Sequence, residues 1–363
     1  MISVSCRSRS VRYSIRVRSG LLSRAGRELR RLGAGRLLLV VTDRTVGRIY
    51  GAAFLASMKR AGFTADLFAL PPGERGKTLD SARRIAERWA ERRADRDALV
   101  VALGGGAVSD VAGFSAAIYG RGLEWAVFPT TLLAQADASI GGKVGVNLPF
   151  GKNLLGAFHQ PVAVCADPAA LATLPARTLR SGFAEVAKMG FIRHPALLAR
   201  LSRMAERTGL REPEGLESLV RICAREKAWF VSRDAMDRGV RQHLNFGHTV
   251  GHAIEAADGY RRHTHGEAVS VGIAAALRLS VRLAGLDPAA AREGEALLRR
   301  LGLPTRLPRA PGALFWSALE RDKKRGRTAL RVILCPAIGA AKVHELTSLT
   351  PLRHVVSSLV RSP

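Results

Sequence analysis

The feature that most constrains this chain is a change of rhythm near residue 176. Before it, short apolar runs rich in β-formers alternate with helical patterns. Residues 36–43 (RLLLVVTD), 65–70 (ADLFAL), 97–103 (DALVVAL), 124–131 (EWAVFPTT) and 162–167 (VAVCAD) read as strands. Helical stretches such as 79–93, where Ile85 and Trp89 share a face, lie between them. Such alternation implies a parallel sheet with helices on both sides. After 173–182 (TLPARTLRSG) the strand patterns fade and helical periodicity runs to about residue 320, with 328–339 (TALRVILCPAIG) as one late β-like run. The expectation is an α/β chain: a parallel-sheet domain over 1–176, then a mainly α-helical domain over 177–363. No internal repeat or long low-complexity linker interrupts this.

Composition narrows the class. A chain of 363 residues, 47% hydrophobic, can bury cores without disulfides. No apolar run approaches a membrane span; residues 268–277 (AVSVGIAAAL) are too few. The first twenty residues are rich in Arg and Ser, as transit peptides are. They lack a helical apolar face and alternate like a strand from 11 to 17, so they read as a short tail plus a first strand of a soluble, cytoplasmic protein. Cys6, Cys165, Cys223 and Cys335 lie far apart without CxxC pairing and read as reduced thiols. The net charge of +27, with 14 basic and 2 acidic residues in the first 60, accompanies no nucleic-acid-binding motif. A basic surface with an anionic substrate is the reading, with no nucleic-acid or membrane partner. Only nine of the 57 basic residues are lysine, at 59, 77, 143, 152, 188, 227, 323, 324 and 342. In a chain that otherwise uses arginine, these mark positions needing a compact ammonium.

Six stretches carry chemistry. Residues 102–114 (ALGGGAVSDVAGF) set Gly104, Gly105 and Gly106 between a strand and a helix, where amides approach a pyrophosphate at a positive helix terminus. The acid expected about 20 positions downstream is absent. Asp43 ends an earlier strand instead, so a dinucleotide site would be a variant of the Rossmann form. Residues 129–147 and 151–161 gather Asp137, Lys143, Lys152 and Asn153 in sequence that reads as loops where backbone meets ligand. In 181–190 (SGFAEVAKMG), Glu185 sits among apolar neighbours on a helix and needs a partner: a surface salt bridge to Lys188, or a metal. Residues 244–255 (LNFGHTVGHAIE) place His248 and His252 four apart on one helical face, without the glutamate of a zinc-protease signature. Residues 263–269 (HTHGEAV) supply further imidazole, and Glu plus two His is a common catalytic zinc set.

Together, GGGAVSDVAGF, PTTLLAQADASIGGK, KNLLGAFHQP, SGFAEVAK, LNFGHTVGHAIE, HGEAV and RDKK resemble the 3-dehydroquinate synthase family, in order, from about residue 13 to about 343. The resemblance implies a Rossmann-like first domain, NAD, and a divalent metal, zinc or cobalt. The substrate it implies is a phosphorylated seven-carbon keto acid. It implies metal ligation by Glu185, His248 and His265, with His263 a neighbour. It places NAD against Asp43, Glu74, Lys77, Gly105, Gly106, Ala107, Asp110, Thr130, Thr131, Lys152 and Thr173. For the substrate it implies Asp137, Lys143, Asn153, Lys227, Arg241, Asn245, His252 and a lysine of RDKK, Lys323 or Lys324. Arg121 would come from a partner subunit of a homodimer. His252, Asp237, Lys143 and Asn245 would be the catalytic residues. The family pattern has glutamates where this chain has Ala235 and Asp237, glycine at Ser109 and valine at Ala107, which bear on acid–base function and cofactor affinity. A related cyclase, such as a 2-epi-5-epi-valiolone synthase, would share fold and cofactors but lack the pattern at Arg241, Asn245 and His252.

Overall fold

The computed structural model describes residues 1–6, 11–35, 37–149, 151–323 and 329–360, without the side chains of 6, 11, 208 and 321–323. Eleven strands among these are β1 (Ile2–Cys6), β2 (Val11–Val17), β3 (Leu37–Asp43), β4 (Thr64–Leu70), β5 (Leu99–Gly104), β6 (Trp125–Pro129), β7 (Lys143–Leu148), β8 (Gly151–Phe158), β9 (Ala163–Ala166), β10 (Leu330–Ala337) and β11 (Ala340–Leu346). The chain divides into two compact units, Met1–Leu174 with Leu216–Met236, and Pro175–Gly215 with Asp237–Pro363. Residues 216–236 thus group with the first unit, where the sequence suggested a single break near 176.

In the first unit, seven strands form one sheet in the order β1-β2-β9-β6-β5-β3-β4. Every neighbouring pair is parallel except β1 with β2. Leu99–Gly104 and Trp125–Pro129 are buried at every position, as continuous apolar runs in a covered parallel sheet should be. The edge strand β4, interrupted by Thr64 and Asp66, is largely half-buried. Two expectations need correcting. Residues 2–6, read as a tail, pair with β2 as the antiparallel edge. Residues 143–148 and 151–158, read as loops, form the antiparallel hairpin β7–β8. Their glycines hid it: a Cβ on Gly156 would lie 2.4 Å from the Val144 carbonyl oxygen, so these strands depend on bare backbone.

The second unit is mainly helical. Its longest helix inside the unit, His265–Ala284, is buried along most of its length. Ala268, Ala275 and Leu279 from it share a core with Ile254, Leu334, Leu352 and Val356. The late β-like run forms the hairpin β10–β11. Two glycines set how closely the helices approach. A Cβ on Gly266 would sit 1.9 Å from the Ser181 carbonyl oxygen, and one on Gly272 1.8 Å from that of Gly247. Only hydrogen fits at either place.

Candidate active site

In the first unit, β3 is flanked by β4 on one side and β5 on the other. The chain reverses its direction across the sheet there, and such switch points open a crevice at the carboxyl ends of the strands. Asp43 ends β3, with Oδ1 accepting from the N–H groups of Thr45 (2.8 Å) and Val46 (3.0 Å). Gly104 ends β5, and Gly105 caps the helix Gly106–Ile118 without a side chain. The amides of that first turn therefore face outward on a helix N-terminus, a natural anion seat. Thr130, 2% exposed, donates its N–H to the Gly104 carbonyl at 2.9 Å, and a Cβ on Gly105 would meet Thr131 at 3.0 Å. Ala107 follows inside the same helix.

Around this turn lies a charged network. Buried Lys77 bonds both Asp110 and Asn153. Burial pushes the Asp110 carboxyl upward, and Lys77 opposes that shift without cancelling it. Glu74 accepts from Asn147 Nδ2 at 2.6 Å and lies 3.7 Å from Lys152 Nζ. Thr173 Oγ1 is 2.8 Å from the Tyr50 hydroxyl. Elsewhere in the unit Asp137 and Lys227 form an ion pair with both partners largely buried. Lys143 begins β7 and is exposed. Arg121 is exposed too, with a left-handed backbone (φ 67°). Asn153 shares that left-handed region, with φ 56°.

In the second unit the metal candidates converge. Glu185 Oε1 lies 3.4 Å from His248 Nε2 and 3.3 Å from His265 Nε2. One ligand atom from each residue falls within 4.8 Å of the others. The other ring nitrogens are engaged: His248 Nδ1 is 3.2 Å from the Phe246 carbonyl, and His265 Nδ1 is 3.2 Å from Glu255 Oε2. Both imidazoles thus turn Nε2 toward Glu185, the arrangement that outer partners impose on metal-binding histidines. Lys188 pairs with Glu185, and both side chains are about 1% exposed, which overturns the surface salt bridge. Lys188 meets Oε2, whereas the two imidazoles face Oε1. Burial alone would raise the Glu185 carboxyl, but Lys188 and the two histidines hold it well below the usual carboxylate range. Burial lowers His248, while Glu185 and Glu255 outweigh burial at His265 and hold it up at about 10.

His252 sits one turn beyond His248 on the helix His248–Ala257, is exposed, and stacks edge-on to it with ring centroids 5.3 Å apart. His263 bonds Asp258 and stands outside the Glu185 set. Arg241, 2% exposed, and Asn245 lie on the 3-10 segment Val240–Asn245, shortly after Asp237, whose φ is 58°. Lys324 and the side chain of Lys323 lie outside the described residues. Lys77, Lys188 and Lys227 are three of the four buried Lys or Arg side chains among the described residues. Sequence reasoning passed over Glu255 and Gly266. Glu255 had a signal, since it falls seven residues after His248 and so on the same helical face. Gly266 had none beyond its place beside His265.

The solved structures share this plan. A 2-epi-5-epi-valiolone synthase from Streptomyces hygroscopicus, described with NAD+ and Zn2+ bound, superposes with a TM-score of 0.88 at 27% identity, covering 96% of this chain and 97% of the other. The chain therefore shares the architecture of that synthase. Family models for 3-dehydroquinate synthase match residues 67–181 (N-terminal) and 182–325 (C-terminal). The 3-dehydroquinate synthase of Gloeobacter violaceus is 44% identical and that of a Synechococcus species 42%, each over 96% of both chains. The chain belongs to the 3-dehydroquinate synthase family.

Proposed function

We propose that this chain converts 3-deoxy-D-arabino-heptulosonate 7-phosphate into 3-dehydroquinate and phosphate, using NAD+ and a divalent metal. The observation that carries this reading is the convergence of Glu185, His248 and His265 in a chain so similar to 3-dehydroquinate synthases. The residues fit a zinc- or cobalt-sized ion: one carboxylate and two imidazoles with fixed Nε2 faces, leaving coordination positions for substrate oxygens. When bound, NAD+ would take up and return a hydride, and the metal would acidify a substrate hydroxyl.

The chain supplies the rest. The amides after Gly104, with Thr130 and Thr131, would seat the pyrophosphate, and Asp43 and the Glu74, Lys77, Asp110, Lys152 and Thr173 positions would line the dinucleotide. Lys227 and Arg241 would bind the substrate carboxylate, beside Asp137. Lys143, a lysine of RDKK and a partner subunit's Arg121 would neutralise its phosphate, which requires a homodimer. Asn153, Asn245 and His252 would donate hydrogen bonds to substrate oxygens. His252 is exposed one turn from a ligand and would hold or move a proton as phosphate departs; Asp237 would be its acid–base companion. A cytoplasmic setting suits this chemistry, and no described helix is long and apolar enough to cross a membrane.

The test is phosphate release from the heptulosonate phosphate with and without NAD+ and a chelator. Catalytic NAD+ should support many turnovers with no accumulating NADH. Stoichiometric NADH during phosphate release would replace the synthase reading with a dehydrogenase.

A further inference from the structure

The imidazole of His265 is held from both sides. Its Nε2 faces Glu185 at 3.3 Å, and its Nδ1 faces Glu255 Oε2 at 3.2 Å. Glu255 is 3% exposed and projects from the helix that also carries His248, two turns further on. We infer that Glu255 is a positioning residue for the metal site: its carboxylate accepts the Nδ1–H of His265, and so fixes the tautomer and ring angle that leave the Nε2 lone pair for the metal. This rests on the metal reading of Glu185, His248 and His265 proposed above.

Three observations favour this role. An ionised carboxylate accepts hydrogen bonds and donates none, so Glu255 keeps the His265 proton on Nδ1 when an ion displaces the one on Nε2. The two histidine ligands are oriented differently: His248 leans on the Phe246 backbone carbonyl, which no substitution removes, while His265 depends on a side chain. One helix therefore supplies a ligand and the orienting group for another, which ties the separation of the two ligands to helix geometry.

A rival role uses the same atoms. His252, Glu255 and His265 also bring ligand atoms within 4.8 Å of one another, so Glu255 could itself be a ligand of an ion. Its hydrogen-bond distance to Nδ1 and the exposure of His252, where the other set has the buried Glu185 carboxylate, favour positioning.

The experiment titrates the metal-free full-length protein with Co2+, reading affinity by competition with a chelator and coordination by the visible absorption of the ion. Wild type should bind one ion per chain, and Glu185→Ala should abolish that binding. Glu255→Ala should weaken it by about 10- to 100-fold, the usual cost of losing such an outer partner. Glu255→Gln, which keeps an acceptor oxygen, should recover most of the affinity and the wild-type spectrum. Thermal midpoints of the metal-free variants separate positioning from folding: the Ala and Gln proteins should differ in metal affinity far more than in stability. Wild-type affinity in Glu255→Ala, with binding still lost in Glu185→Ala, would overturn the positioning role alone. Two ions per wild-type chain, one of them lost in Glu255→Ala, would make Glu255 a ligand instead. Unchanged binding in Glu185→Ala would defeat the metal reading beneath both.

Discussion

At the end of β5 the groups on offer are backbone amides beside Gly104, Gly105 and Gly106, whereas around Glu185 they are a carboxylate and two imidazoles. The first arrangement works because side chains are missing; the second works because particular ones are present. A site of the first kind fails when a Cβ is added, and one of the second when a side chain is removed. The second unit nevertheless mixes the two, since Glu185, His248 and His265 ride on helices that Gly266 and Gly272 allow to touch.

The sharpest test of that contrast compares the two histidines of HTVGH. His248→Ala removes a proposed ligand and should empty the metal site, with activity falling by roughly three orders of magnitude, the upper end for losing a transition-state charge stabiliser. His252→Ala should keep about one ion per chain and still bind NAD+, yet slow phosphate loss by roughly two to four orders of magnitude if it moves a proton. Metal analysis of both purified proteins decides: equal depletion would erase the division between ligand and proton carrier.

A smaller effect tests whether the second region also depends on absence. Gly266→Ala keeps every donor but drives a methyl group into the Ser181 carbonyl, four residues before Glu185. Overpacking of this kind costs about 1–3 kcal/mol. The variant should unfold at lower temperature and bind Co2+ more weakly, with Glu185, His248 and His265 all still in place. Wild-type affinity together with a lowered midpoint would mean that the seam supports the fold without setting the ligands.

These cases explain what the sequence made legible. Side-chain chemistry was visible: Glu185, His248 and His265 stand in patterned, apolar stretches, and β3, β5, β6 and β9 announce themselves as apolar runs of the right length. What depended on bare backbone was not. The β7–β8 hairpin looked like loop because its glycines serve close strand contact, and Gly266 looked incidental because a contact 85 positions away defines it. Lys188 shows a third limit: spacing predicts its pairing with Glu185 three residues earlier, but whether that pair is exposed depends on helices far along the chain.

Lysines probe the same limit at lower amplitude. Lys227 is buried against Asp137, and a guanidinium there must fit a planar fork where an ammonium now sits. Lys227→Arg should lower activity by about tenfold or more, a penalty of roughly 1.4 kcal/mol in transition-state binding. Lys59→Arg and Lys342→Arg, both exposed, should stay at wild-type rates. Equal rates in all three would show the lysine bias to be compositional.

The smallest effect concerns how His265 is seated on its helix. Thr264 caps that helix through a reciprocal box: its hydroxyl accepts from the Glu267 N–H, and Glu267 accepts from the Thr264 N–H at 2.8 Å. Arg177 grips the same carboxylate with two bonds of 2.7 Å. Burial opposes ionisation of Glu267, but Arg177 and the Thr264 N–H outweigh it and lower its pKa below the ordinary 4.5. A carboxyl with a depressed folded-state pKa contributes stability that is present above its unfolded value and lost as pH falls through the folded one. Glu267→Gln should therefore lower the melting temperature by a constant amount at neutral pH, and the gap from wild type should close below about pH 4.5. Arg177 is more than half exposed, so solvent screens its share, and the Gln oxygen can still accept the Thr264 N–H; what is lost is the charge on that bond and the Arg177 pair, an effect below about 1 kcal/mol or 2–4 °C. Co2+ stoichiometry should not change, because the box holds the helix start while Glu255 and Glu185 hold the ring. A gap that persists undiminished at pH 4 would locate the effect in packing, whereas a loss of bound metal at neutral pH would show that the seat of His265 and the aim of its ring are one device.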